Sequence, residues 1–99
     1  MTSKKTKTGW KNFITLCAST DSNKMMDQLF DLFFTLDEKE QLNARCLIVK
    51  ALIEGKLTQR QIADELGVSI SQITRGSNEL KTIEKGLTEY LKTQLDVKA

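Results

Sequence analysis

Side chains able to make or break bonds are sparse and scattered in this sequence. There is no histidine, and the two cysteines, Cys17 and Cys46, stand far apart among apolar residues at helical spacing. A nucleophilic thiol needs a base partner, and two cysteines without histidine do not make a conventional zinc site. The acids form no paired constellation for general acid–base work. No enzyme and no metal site are expected, and both thiols are expected to be buried and reduced. The chemistry that remains is recognition. Ser71, Gln72 and Thr74 carry donors and acceptors suited to base edges or phosphates. Arg75 and Glu79, four residues apart, share one face of any helix that contains them and can pair.

These residues fall in a stretch, Gln59–Gly76, that has helix-turn-helix spacing. Thr58-Gln-Arg-Gln61 and Ser69-Ile-Ser-Gln72 are capping boxes that start two helices. Between them Gly67 permits the positive φ of a tight turn. Ile62 and Leu66 are placed to pack inward, Ala63 is small where the second helix must cross, and Val68 fills the corner. Ile73 and Leu80 return to the core. A reading helix must project intact into the major groove while its predecessor braces it across the backbone. A plain helical hairpin with glycine at its corner has the same spacing, so spacing alone leaves both readings open.

The remaining elements are also helical by pattern. Trp10, Phe13, Ile14 and Cys17 follow the i, i+3, i+4, i+7 template, with a stop expected in Ser19–Asn23. Ser22 can cap a second helix, whose Met25, Met26, Leu29, Phe30, Leu32, Phe33 and Phe34 cover too much circumference for one core face. Such a helix needs partners beyond its own chain, which points to a homodimer. Trp10, Tyr90 and the phenylalanines are expected in the core or at that interface. Thr35-Leu-Asp-Glu38 is a third capping box. It opens a long helix to about Glu54, with Leu42, Cys46, Val49 and Ile53 on one face and Gly55 as its left-handed stop. A last helix covers roughly Lys85–Leu95. Six helices and no strand pattern make the chain all-α.

Composition agrees. The 99 residues, 39% hydrophobic and without proline, support one domain over residues 10–99. No apolar run approaches the ~18 residues of a membrane span, and no secretory signal follows the N-terminal lysines. A cytoplasmic chain with no membrane partner is expected. Charge is unevenly placed: Lys4, Lys5, Lys7 and Lys11 precede the first acid, Asp21, although the whole chain is only +2. Residues 1–9 lack apolar periodicity and are expected to form a disordered basic arm, either a solubilising tail or a phosphate-touching one.

Two runs take the reading further. Thr58-Gln-Arg-Gln-Ile-Ala-Asp-Glu-Leu-Gly67 and Ile73-Thr-Arg-Gly-Ser-Asn-Glu-Leu-Lys81 resemble the bacterial tryptophan repressor family. So do the Arg-x-x-Ile-Val pattern at Arg45–Val49 and Glu54-Gly55, and the likeness extends weakly from Trp10 to about Leu95. It implies a six-helix intertwined homodimer with its helix-turn-helix at about residues 59–82. It also implies L-tryptophan as corepressor, no other cofactor, and a palindromic double-stranded operator of tryptophan biosynthesis genes as the DNA partner. By the same resemblance, Arg45 and Arg75 sandwich the indole and Arg75 holds the carboxylate, with Thr35 nearby. Guanidinium suits both tasks better than ammonium does. Gly76 is implied as a floor for the indole. Backbone carbonyls near Leu32 and Phe34 of the other subunit are implied as acceptors for the amino group.

Glu79 departs from the family pattern, which has a small serine there. A carboxylate at this position can meet the ligand ammonium or pair with Arg75. The DNA-facing set by pattern and resemblance is Gln59, Arg60, Ser69, Ile70, Ser71, Gln72, Thr74 and Lys81. Ala63 stands where the family usually has lysine, and Gln72 where it has threonine. From Thr58 to Lys81 the charges cancel, Arg60, Arg75 and Lys81 against Asp64, Glu65 and Glu79. Two other readings remain: a ligand-independent DNA-binding module, such as the head of a transposase-like or replication-initiator-like protein, and a helical protein-interaction module. With a neutral reading head, the lysine arm is expected to carry part of the phosphate contact. Removing residues 1–9 should therefore flatten the log–log salt dependence of DNA binding, by about 0.9 units for each lost contact. An unchanged slope in a fluorescence titration would exclude this role.

Overall fold

The computed structural model describes residues 4–97, with side chains from Thr8 onward. The described residues form six helices and no strand: α1 (Lys4–Ser19), α2 (Asn23–Phe33), α3 (Leu36–Glu54), α4 (Gln59–Leu66), α5 (Ile70–Leu80) and α6 (Lys85–Gln94). The all-α expectation holds, with each expected helix present. Contacts divide the chain into an N-terminal unit, 1–39, and a C-terminal unit, 40–99.

In the N-terminal unit α1 starts at Lys4, six residues before the expected Trp10. The segment expected to be a disordered arm is thus helical from Lys4, while residues 1–3 lie outside the described residues. A formed helix extends over its neighbours cheaply, since each added residue gains a bond without a new nucleus. The helix ends where Ser19 turns its hydroxyl back to the carbonyls of Thr15 (2.8 Å) and Leu16 (3.2 Å). Ser22 then caps α2, accepting from the Met25 N–H at 3.0 Å. Phe13 is the hub of an aromatic cluster, with ring centroids of Trp10, Phe30, Phe33 and Phe34 at 5.6–6.3 Å. Edge-on and tilted rings at such distances attract beyond their area burial. Yet α2 has no buried residue, and Trp10, Leu32 and Phe33 stay exposed.

In the C-terminal unit the core is small. Ile48, Ile62, Ala63 and Ile73 are buried and form one cluster, and Ala51, Leu52, Leu57, Leu66 and Val68 pack around it. The helix starts are set locally. Thr58 and Gln61 bond reciprocally at 3.1 and 2.8 Å, as do Ser69 and Gln72 at 3.4 and 3.1 Å. Gly67, at φ +65°, makes the corner between α4 and α5, and Val68 N–H returns to the Ala63 carbonyl at 3.1 Å. Gly55, at φ +68°, ends α3. Both glycines occupy a region that costs other residues about 1–2 kcal/mol.

Two expectations for α3 are corrected. Its buried face is Ile48 with Ala51 and Leu52, not Leu42–Cys46–Val49–Ile53, and Leu42 and Leu47 are exposed. Apolar side chains surround this helix, so periodicity offers several faces and packing against α4 and α5 selects one. Cys46 is consequently exposed; Cys17, on α1, is only half-buried, so neither thiol is buried as expected. On α6, Leu87 and Tyr90 are exposed and Leu91 half-buried. Among the described residues, no helix is long and apolar enough to cross a membrane.

So small a core makes each of its members costly to truncate. Ile73→Ala, at a site of 0% exposure, is expected to lose about 2–5 kcal/mol in urea unfolding. Ile70→Ala, on the same helix but 47% exposed, should stay within about 0.5 kcal/mol.

Candidate functional site

Two helices of the C-terminal unit enclose a cleft of about 290 Å³, open on one side. The α3 wall is Arg45, Ile48 and Val49, at i, i+3 and i+4. The α5 wall is Gln72, Arg75, Gly76 and Glu79, at i, i+3, i+4 and i+7. Each set is one stripe of a helix, so both walls follow from helical periodicity once the two helices face each other. The crossing is close at Gly76, where a Cβ would meet Ile48 Cγ2 at 3.3 Å and Leu52 Cδ1 at 3.5 Å. Gly76 therefore lines the cleft and also lets α5 approach α3. The chemistry of the lining is plain: an apolar floor, two guanidiniums, one carboxylate and one amide. The volume lies near the lower end for small-molecule sites and suits a single amino acid better than a nucleotide.

Within the cleft Arg75 Nε donates to Glu79 Oε1 at 3.4 Å. This is the i, i+4 pair that their spacing suggests. Both side chains are largely exposed, so water screens the pair and it holds Arg75 only weakly.

The structure gathers Arg45, Arg75, Gly76 and Glu79 from the expected ligand set. Ile48 and Val49 join them, although the sequence placed them only in the Arg-x-x-Ile-Val pattern and not in the ligand set. Their signal was present: they lie one turn after Arg45 on its own face. Thr35, Leu32 and Phe34 belong to the N-terminal unit. There Thr35 caps α3, its hydroxyl accepting from the Glu38 N–H at 3.1 Å while its own N–H donates to Glu38 Oε1 at 2.9 Å. Phe34 closes α2 through its N–H to the Phe30 carbonyl at 2.8 Å, and Leu32 is 74% exposed.

The expected nucleic-acid set divides. Arg60, Ile70, Ser71 and Lys81 are exposed on α4, α5 and the residue after α5. Ser69 serves the start of α5, and its hydroxyl lies 3.0 Å from that of Ser71. Gln72 is engaged twice: its side-chain oxygen accepts from the Ser69 N–H, and it lines the cleft. Gln59 and Thr74 hold each other, Thr74 Oγ1 donating to Gln59 Oε1 at 3.0 Å. That bond joins the first turn of α4 to the middle of α5. Three stripes thus divide α5: Ile73 is buried in the core with Leu80 only half-buried, Gln72, Arg75, Gly76 and Glu79 line the cleft, and Ile70, Ser71 and Thr74 lie on the remaining face.

The exposure of the cleft pair sets its magnitude. A double-mutant cycle of Arg75→Ala and Glu79→Ala, followed by urea unfolding, should give a coupling of about 0.5 kcal/mol or less. A larger value would mean that the pair is held far more rigidly than its exposure allows.

The family model of the Trp repressor protein matches residues 8–95. Among curated relatives, the Trp operon repressor homolog of Chlamydia trachomatis serovar D is 45% identical over 88% of this chain and 93% of its own length. The homolog of Chlamydia caviae is 48% identical over 85% of this chain and 83% of its own. That of Vibrio campbellii is 42% identical over 88% and 87%. The match runs through the cleft, the helix-turn-helix and all six helices together, and the chain belongs to the Trp repressor family.

Proposed function

We propose that this chain represses transcription of tryptophan biosynthesis genes, binding their operator as a homodimer when L-tryptophan occupies the cleft between α3 and α5. One observation carries the reading: the second helix of the helix-turn-helix is itself a wall of the cleft. A ligand seated there touches the element that would read DNA.

The chemistry of the lining supports a zwitterionic aromatic ligand. Arg75 forks onto the carboxylate, and the planes and stems of Arg45 and Arg75 flank the indole above Ile48 and Val49. Thr35 lies near the carboxylate, and the carbonyls near Leu32 and Phe34 of a second copy accept from the ammonium. Occupancy favours the tilt of α5 that fits the major groove, because the ligand binds that state better than the others. Arg60, Ser69, Ile70, Ser71, Thr74 and Lys81 then meet the DNA, with Gln59 bracing Thr74 and Gln72 supporting the helix start. Two observations support the homodimer. Four buried side chains make a slight core among the described residues, and large apolar groups on α1, α2 and α6 face outward. Burying such groups is worth about 1.5–3 kcal/mol apiece.

A gel shift on palindromic operator DNA from tryptophan genes tests the proposal. A shifted band is expected with L-tryptophan and none without it, and equilibrium dialysis should show saturable uptake of labelled tryptophan. A shift indifferent to tryptophan would favour a constitutive DNA-binding module, and no shift under either condition a protein-interaction module.

A further inference from the structure

Glu79 lies in the cleft one turn after Arg75, and the two side chains already hold each other. The charged lining is therefore two guanidiniums and one carboxylate: Arg45, Arg75 and Glu79. We propose that Glu79 is a specificity-determining residue of this cleft, selecting ligands that carry an ammonium beside their carboxylate and rejecting the corresponding acids that lack it. The inference rests on the reading of the cleft as an amino-acid site.

Binding exchanges one set of ion pairs for another. In the empty cleft Glu79 occupies Arg75, so a ligand carboxylate must displace it. An α-amino acid offers Glu79 a replacement, because its carboxylate takes Arg75 while its ammonium takes Glu79. One ion pair is exchanged for two, and both Arg75 and Glu79 keep an opposite partner, while Arg45 stays as it was in the empty cleft. An acid without the amino group takes Arg75 and leaves Glu79 beside a second carboxylate, a like-charge arrangement that disfavours binding. An amine without the carboxylate matches Glu79, but it strips Arg75 of its partner and adds a third cation to the cleft. Of the three ligands only the zwitterion gives both Arg75 and Glu79 an opposite partner. Glu79 is free to make this exchange, since its side chain is 69% exposed and turning it unpacks nothing. A neutral hydroxyl at the same position would accept from an ammonium but would not repel the acid, so the discrimination comes from the charge.

Titration calorimetry on the full chain tests this with L-tryptophan, indole-3-propionate (the same skeleton without the amino group) and tryptamine (without the carboxylate). The native protein should prefer L-tryptophan over each analogue by about tenfold or more, the worth of one charge-assisted contact. Glu79→Gln and Glu79→Ser should weaken L-tryptophan and strengthen indole-3-propionate, so that their affinity ratio falls by more than about tenfold. A ratio within about twofold of the native value in both variants would overturn the role of Glu79 while leaving the amino-acid site standing. Absence of binding by all three ligands in the native protein would overturn the site reading and this inference with it.

Discussion

The packing of Ile73 against Ile48, Ile62 and Ala63 fixes where α5 lies, and α5 carries the groups that line the cleft and those that would face a nucleic acid. Side chains three and four apart share a helical face, so burying Ile73 sends Gln72, Arg75, Gly76 and Glu79 to one flank. Ile70, Ser71 and Thr74 go to the other. The cleft and the face that would meet a nucleic acid are therefore two sides of one helix, anchored by the buried Ile73. Any tilt of that helix is felt at both.

The core that holds it is small, which makes local devices important. Reciprocal side-chain bonds at Thr58/Gln61 and Ser69/Gln72 start α4 and α5, and Gly67 turns the chain between them. The Thr74–Gln59 hydrogen bond adds a direct link across the corner. Electrostatics contributes less to the fold. The ion pairs of the C-terminal unit are exposed, as in Arg75–Glu79, and water screens most of their worth. The same weakness leaves Arg75 available: a side chain loosely held by its neighbour exchanges partners at little cost.

Much of this was legible in the sequence because it depends on near neighbours. A capping box spans three residues, and a glycine stop acts on its own φ. All six helices and the Thr35, Thr58 and Ser69 starts could therefore be recognised from residue types alone, although α1 begins at Lys4, six residues ahead of its apolar pattern. The Arg75–Glu79 pair is equally local. The polar residues of the helix-turn-helix were harder to assign. Gln59 and Thr74 each look available for DNA, and only their meeting across fifteen residues pairs them with each other. Gln72 likewise reads as a groove-facing amide, but its position on α5 turns it toward the cleft.

What the sequence determined by itself was the set of helices, their caps and stops, and the pairing of groups one turn apart. These are energies decided within about four residues, where chain connectivity does the positioning. Tertiary structure alone decided which face of α3 is buried. Apolar side chains surround that helix, and packing against Ile62 and Ile73 singles out Ile48 while leaving Leu42, Cys46 and Leu47 exposed. The same choice brings Arg45, Ile48 and Val49 opposite Arg75, Gly76 and Glu79. A cleft between two helices is a contact between distant segments, and no single helix's periodicity can specify it.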